Sequence, residues 1–166
     1  MTCDARPTTT PGDGSSDSGT PGRFSVARGR ARPRMRQDTS TPRAARLVAA
    51  AIRTGRFPAN QAFDRFLPRE LREVSDRYWT PLPVVRRAAL WLRDARVRTV
   101  VDIGSGAGKF CVATALLAPF SLIGLEHRSS LIASARGLAE LFEVDDRVTF
   151  VQGEFGVGPT PIGDAY

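Results

Sequence analysis

The sequence is poor in cysteine and histidine and has no long apolar run, and each scarcity excludes a class of protein. Of its 166 residues, two are cysteine and one is histidine. Cys3 lies in a polar N-terminal stretch and Cys111 in a predicted helix, so the chain has neither a disulfide framework nor the ligand spacing of a metal site. The first residues lack the apolar core of a signal peptide, and no run approaches the ~18 apolar residues of a membrane span. We therefore expect a soluble protein of the reducing cytoplasm, with no metal site and no membrane contact.

Charge is distributed unequally along the chain. Residues 1–58 contain eleven arginines and four acidic residues, whereas residues 59–166 contain thirteen residues of each sign. The formal net charge of +7 therefore belongs to the N-terminal third. An arginine-rich arm of this kind can bind phosphate backbones or anionic surfaces without sequence selectivity. The alternative is a solvated, disordered tail, which we prefer because no aromatic residue or motif organises the arginines.

Composition divides the chain into three segments. Residues 8–22 consist of Thr, Ser, Pro, Gly and Asp, which cannot bury enough apolar surface to offset the entropy of ordering, so residues 1–41 are predicted to be a disordered basic tail. Order begins near Thr41, where a capping threonine and a proline precede an Ala- and Leu-rich helix. We name residues 42–79 the helical cap and predict two short helices divided at Pro68 in its second half. Residues 80–166 are expected to form a partial domain of their own.

That last segment alternates between helical and strand patterns. The predicted elements are, in order, a helix over Leu82 to Asp94, a strand over Val97 to Ile103, a helix over Lys109 to Ala118, a strand over Ser121 to Glu126, a helix over Ser130 to Glu143 and a strand over Arg147 to Gln152. Alternation of this kind is typical of an α/β fold with a Rossmann-like parallel sheet. Ligands of such sheets bind at the edge where the strands have their carboxyl ends.

Three glycines follow the first strand at alternate positions, in the sequence DIGSGAGKF of residues 102–110. We name residues 102–108 the glycine turn. The dinucleotide fingerprint needs a glycine at the sixth position, which Lys109 occupies. The phosphate loop of nucleoside triphosphatases needs glycine at Ile103 and serine or threonine at Phe110. Both phosphate-binding interpretations fail on spacing, and a dinucleotide site is kept only as a distant alternative.

The pattern that remains, D-x-G-x-G-x-G, resembles motif I of the class I S-adenosylmethionine-dependent methyltransferases. Glu126 ends the second strand, twenty-four residues after Asp102, where that family places the acid that binds the ribose hydroxyls. A carboxylate accepts two hydrogen bonds from a diol, and glycines let the backbone approach a ligand closely. The resemblance implies S-adenosylmethionine as the cofactor and methyl transfer as the activity.

The resemblance also implies roles for single residues of the glycine turn. Backbone contacts with the amino-acid end of the cofactor are expected at Gly104, Ser105 and Gly106, and Gly108 completes the motif. Asp102 is expected to fix the turn or to reach the cofactor's ammonium group through water.

Further candidates flank the turn. Glu154 and Phe155 follow the third strand and resemble the family position that meets adenine, with the acid facing the exocyclic amine. Thr80 is expected near the methionine carboxylate, and an ordinary helix N-cap is the alternative interpretation. Trp79 covers the site or fills the core, and we expect the core.

Three residues with reactive side chains are given ordinary structural roles. His127 is expected to be a structural or surface group rather than a base. Lys109 is expected to be solvated. Cys111 is expected to pack between helix and sheet, with no partner that would activate it as a nucleophile.

The resemblance covers residues 79–166 and three of the seven strands of a complete methyltransferase fold. Residues 163–166 resemble the beginning of the fourth strand, which pairs with the first strand in the family's sheet order. The sheet is thus expected to be truncated, with a first strand that needs a partner chain or further strands at its open edge. No catalytic residue and no methyl acceptor can be named.

Two functions of different classes follow from these patterns. The first is an S-adenosylmethionine-dependent methyltransferase that binds the cofactor at the glycine turn and Glu126. The alternative is a truncated, non-catalytic methyltransferase-like module that binds nucleic acid or a protein partner through the arginine-rich arm.

Deletion of residues 1–36 tests the arm. If the arm is the binding element, the deletion weakens binding to duplex RNA or DNA and flattens the salt dependence, because each lost phosphate contact reduces the slope of log K against log [salt] by about 0.9. Fluorescence anisotropy across a salt series measures both quantities. Affinity and slope that survive the deletion unchanged would contradict a role for the arm.

Overall fold

A computed structural model describes residues 40–166 of the chain. The predicted tail, residues 1–41, lies outside the described residues except at its last two positions. Seven helices and three strands occur in the described part: α1 Ser40–Arg53, α2 Asn60–Asp64, α3 Arg69–Arg72, α4 Ser75–Tyr78, α5 Leu82–Asp94, β1 Thr99–Ile103, α6 Lys109–Leu117, β2 Ser121–Glu126, α7 Ser129–Leu141 and β3 Val148–Gln152. Each of these helices is too short or too polar to cross a bilayer.

The three strands form one parallel sheet in the order β1-β2-β3. Val101 lies opposite Ile123, and Ile123 lies opposite Thr149, so the strands are in register along their length. Helices α6 and α7 connect successive strands and pack against them. The carboxyl ends of all three strands therefore meet at one edge, which confirms the predicted Rossmann-like α/β sheet.

Strand β1 begins at Thr99, two residues later than the sequence pattern predicts. Arg96 has a φ of 58°, and the amide of Val97 donates to the carbonyl of Leu92 at 3.0 Å. Val97 therefore closes the end of α5 and cannot pair with β2.

The second half of the helical cap differs from the prediction. Pro68 does separate two helical stretches, but the second stretch is itself divided into α3 and α4 at Val74, whose backbone is not helical (φ −114°, ψ 8°). The hydroxyl of Ser75 donates to the buried carboxylate of Asp64 on α2 at 2.5 Å. This internal hydrogen bond fixes the first residue of α4 against α2.

The helical cap and the sheet share one hydrophobic core. Phe63 of α2 stacks on Phe142 at the end of α7 with ring centroids 4.8 Å apart, and Phe66 meets the same ring edge-on at 5.2 Å. Ala45, Ala49 and Ile52 of α1 belong to the same buried cluster. Aromatic pairs of this geometry contribute about 0.5–1.5 kcal/mol beyond their buried area, so the cap is anchored on α7.

The chain returns to β1 at its last residues. Ala165 forms a parallel bridge with Val100, and the amide of Val101 donates to the carbonyl of Ala165 at 2.8 Å. The carboxylate of Asp164 accepts from the amides of Arg98 and Thr99 at 2.9 and 2.8 Å. Residues 163–166 thus take the position predicted for a fourth strand, on the side of β1 that faces away from β2.

Candidate cofactor-binding site

The glycine turn joins β1 to α6, and packing requires glycine at two of its positions. All three glycines have positive φ, at 74°, 56° and 80° for Gly104, Gly106 and Gly108. A side chain on Gly106 would overlap the ring of Trp79, and one on Gly108 would lie 2.6 Å from Phe150. The spacing of the motif therefore follows from close contacts on both sides of the turn as well as from its backbone conformation.

The amides of the turn are already hydrogen-bonded within the protein. Those of Gly104 and Ser105 both donate to the carbonyl of Leu125 at 2.8 and 3.0 Å, and that of Gly106 donates to the carboxylate of Glu126 at 3.0 Å. The turn is thus fixed to the end of β2. Backbone contacts between this turn and a ligand would therefore use carbonyl oxygens rather than amides.

Glu126 is a buried carboxylate at the edge of the sheet, with a side chain that is 2% exposed. One oxygen accepts from Gly106, while the other accepts from the amide and the Nε of Arg128, both at 3.0 Å, and lies 3.1 Å from Nδ1 of His127. Burial by itself raises the pKa of Glu126, but the hydrogen bonds and charge of Arg128 and the amide of Gly106 outweigh it and hold the pKa below its ordinary value. Glu126 is therefore ionised at neutral pH.

Asp102 lies beside Glu126, and its pKa is shifted in the opposite direction. Burial, with a smaller contribution from the charge of Glu126, raises the pKa of Asp102 to about 6, and a hydrogen bond from Cys111 opposes the rise. That hydrogen bond, from Sγ to the carboxylate at 3.4 Å, shows that Asp102 contacts α6. Burial also raises the pKa of the Cys111 thiol, which is consistent with a packed, unreactive cysteine.

Trp79 and Thr80 place the helical cap over the turn. The ring of Trp79 lies on Gly106, and its indole nitrogen donates to the carbonyl of Leu71 at 3.2 Å. Trp79 therefore covers the turn as well as packing against the core, where only core packing was expected. The N-cap position of α5 is Pro81, so the capping interpretation of Thr80 is wrong. Thr80 instead lines a cavity of about 40 Å³ between the cap and the turn.

The expectation of a solvated Lys109 is wrong. Its side chain is 2% exposed, and its ammonium lies 2.7 Å from the carboxylate of Asp64, which is itself buried. Ser75 donates to the other oxygen of that carboxylate. Sequence reasoning missed Asp64 and Ser75 altogether. A usable signal is that Lys109 is the only lysine among twenty-four basic residues, which suggests a position where arginine does not fit.

Glu154 and Phe155 lie at the surface, just after β3. Both side chains are exposed, that of Phe155 to 60%. The neighbouring Gly153 donates its amide to the carbonyl of Glu126 at 3.0 Å, which keeps this segment at the same edge of the sheet. Within residues 40–166, no group of three or more His, Cys, Asp or Glu side chains is arranged to hold a metal ion.

Comparison with solved structures identifies the fold. A protein from Klebsiella pneumoniae provisionally named an O-methyltransferase superposes with a TM-score of 0.50 and 24% identity, over 71% of this chain and 57% of that one. The chain has the class I methyltransferase fold. It spans little more than half the length of that protein. No family model matches the sequence, and no curated protein is similar to it at a significant level.

Two further methyltransferase structures are similar to this chain, with lower TM-scores. One is an RNA methyltransferase from Salinibacter ruber in complex with S-adenosylhomocysteine, with 35% identity over 45% of this chain and 49% of that one and a TM-score of 0.40. Another is an O-methyltransferase from Bacillus cereus in complex with the same compound, with 18% identity over 72% of this chain and 46% of that one and a TM-score of 0.44.

The raised pKa of Asp102 makes stability depend on pH. Because an aspartate in an unfolded chain has a pKa near 3.9, the folded chain binds this proton more tightly. The resulting stabilisation is present below about pH 4 and is lost as the pH rises through about 6. We expect Asp102→Asn to raise the free energy of unfolding by about 2–3 kcal/mol at pH 8 and by much less at pH 4, as measured by urea denaturation.

The matched control for this substitution is Asp145→Asn, because Asp145 is exposed. Its effect should stay within about 0.5 kcal/mol at both pH values. A destabilised Asp102→Asn protein at pH 8 would show that the charged form of this carboxylate is favoured in the fold, contrary to the expectation.

Proposed function

We propose that the chain binds S-adenosylmethionine at the glycine turn and Glu126, as the cofactor-binding part of an S-adenosylmethionine-dependent methyltransferase. The observation that carries the proposal is the hydrogen bond from Gly106 to the buried carboxylate of Glu126, because it joins the turn and the acid into one site at the carboxyl edge of the sheet. The methyltransferase fold supports the same proposal independently of these residues.

The chemistry of the site fits an adenosyl ligand. An ionised carboxylate can accept both hydroxyls of a ribose, and Glu126 has a carboxylate of that kind at the end of β2. Its present partners on the solvent side, Arg128 and His127, have side chains that are 56% and 64% exposed. These side chains can move to solvent, so ribose hydroxyls can replace them as donors at little cost.

The same chemistry argues against phosphate-binding ligands. A pyrophosphate at a helix N-terminus needs free backbone amides, and the amides of Gly104 to Gly106 are bonded to Leu125 and Glu126. Two carboxylates, Asp102 and Glu126, lie at the turn and would repel phosphate. The same two carboxylates would attract a ligand that carries a sulfonium and an ammonium group, because both groups are cations.

The size of the cavity implies that the helical cap moves on binding. About 40 Å³ separates Trp79 and Thr80 from the turn, whereas sites for ligands of this size usually enclose about 300–1,000 Å³. A neighbouring cavity of about 390 Å³ shares Thr80, Asp102 and Phe110 with it but does not reach the glycines of the turn. Helices α3 and α4 are single turns, and no residue of α3 is buried. We infer that the segment with Trp79 swings away from Gly106 when the cofactor enters.

The cofactor, when bound, supplies a methyl group already activated on a sulfonium. What remains for the protein is to align an acceptor with that methyl group and to exclude water. Residues 40–166 supply the cofactor side of this arrangement, and we assign none of them to the acceptor.

Calorimetric titration with S-adenosylhomocysteine, the demethylated product, tests the proposal. We expect the wild-type chain to bind, and Glu126→Ala to weaken binding roughly 10- to 100-fold, because each hydrogen bond to a charged group contributes about 1.5–3 kcal/mol. Glu140→Ala, at an exposed position on α7, is the matched control and should bind like wild type.

Circular dichroism must show that the variants are folded at the temperature of the titration. Folded Glu126→Ala protein that binds as tightly as wild type would exclude this site. A folded wild-type chain that binds neither S-adenosylmethionine nor its product would exclude the proposed function and favour the non-catalytic module.

A further inference from the structure

The residues that line the cavity between the helical cap and the glycine turn include two of opposite charge, Asp102 and Lys109. Two others, Tyr78 and Thr80, have hydroxyl groups. A free α-amino acid group carries one ammonium and one carboxylate. The two charged residues at the cavity therefore complement the two charged groups at the amino-acid end of the proposed cofactor. The resemblance to the methyltransferases assigned no role to Lys109.

Lys109 is positioned by contacts that leave it donors to spare. Its ammonium has three N–H groups, and the contact described for it within residues 40–166 is the 2.7 Å ion pair with Asp64. Asp64 is in turn oriented by the hydroxyl of Ser75. Lys109 thus lies beside the cavity, and its ammonium keeps hydrogen-bonding capacity for a second anion.

Stability alone does not explain why the ion pair of Lys109 and Asp64 is buried. Desolvation of two charges offsets most of their attraction, and apolar residues of similar size often stabilise a core as well or better. Lys109 is also the only lysine in the sequence, since the other twenty-three basic residues are arginine. A compact ammonium on a flexible stem can turn from one carboxylate to another, which the planar fork of arginine does less readily.

We propose that Lys109 binds the carboxylate at the amino-acid end of the cofactor, with Asp64 as the counter-ion that holds the ammonium in place before the ligand arrives. The inference rests on the proposed function and adds to it a specific contact. The ligand class is an adenosyl compound with a free α-amino acid group.

A pair of ligands separates this contact from the rest of the site. S-adenosylhomocysteine carries the amino-acid group, and 5′-methylthioadenosine has the same adenine, ribose and sulfur without it. We expect Lys109→Met to weaken binding of S-adenosylhomocysteine by about 10- to 100-fold and binding of 5′-methylthioadenosine by less than about 3-fold. Calorimetric titration of the full chain measures both affinities.

Because Lys109→Met leaves the carboxylate of Asp64 buried without a partner, the single variant can fail to fold. The double variant Asp64→Asn with Lys109→Met removes both charges and keeps the shapes similar. It should fold and show the same selective loss. An equal loss for both ligands in folded double variant would mean a structural role only and would overturn the proposal, whereas failure of both ligands to bind wild-type protein would overturn the proposed function instead.

Discussion

The hydrogen bond between the carboxylate of Glu126 and the amide of Gly106 determines where every other part of the site can lie. It fixes the glycine turn to the end of β2, while the carbonyl of Leu125 holds the two preceding amides. With the turn so fixed, its open face is directed towards the helical cap, and Gly106 becomes the surface on which Trp79 rests. The cavity that reaches Gly104 and Ser105 lies between the turn and the cap, and Gly108 packs against Phe150.

The charged side chains at this edge of the sheet do not all stabilise the fold. Asp102 and Glu126 are neighbouring carboxylates, and the pKa of one is raised while that of the other is lowered. Lys109 and Asp64 form a second, buried pair on the cap side of the turn. Buried charges of this kind cluster at functional sites, where the fold tolerates them because a ligand uses them. One member of each pair, Asp102 and Lys109, lines the cavity between the turn and the cap.

Local patterns predicted the sheet, the glycine turn and Glu126, because strand runs, glycine spacing and a strand-end acid are properties of adjacent residues. Long-range packing explains most of what was missed. The ion pair of Lys109 joins residues forty-five positions apart, so no window of sequence contains it. Trp79 was expected in the core, and its position over Gly106 depends on how α4 docks. Next to the division of the cap at Val74, Ser75 likewise contacts a distant residue, Asp64.

The most direct test of the site is a crystal structure of the chain with S-adenosylhomocysteine. The account predicts the ribose hydroxyls on the carboxylate of Glu126, the amino-acid end over Gly104 to Gly106, and Trp79 displaced from the turn. Density for the ligand away from Glu126 and the glycine turn, for example wholly within the cavity of about 390 Å³ that Ala88, Trp91 and Tyr166 line, would contradict it.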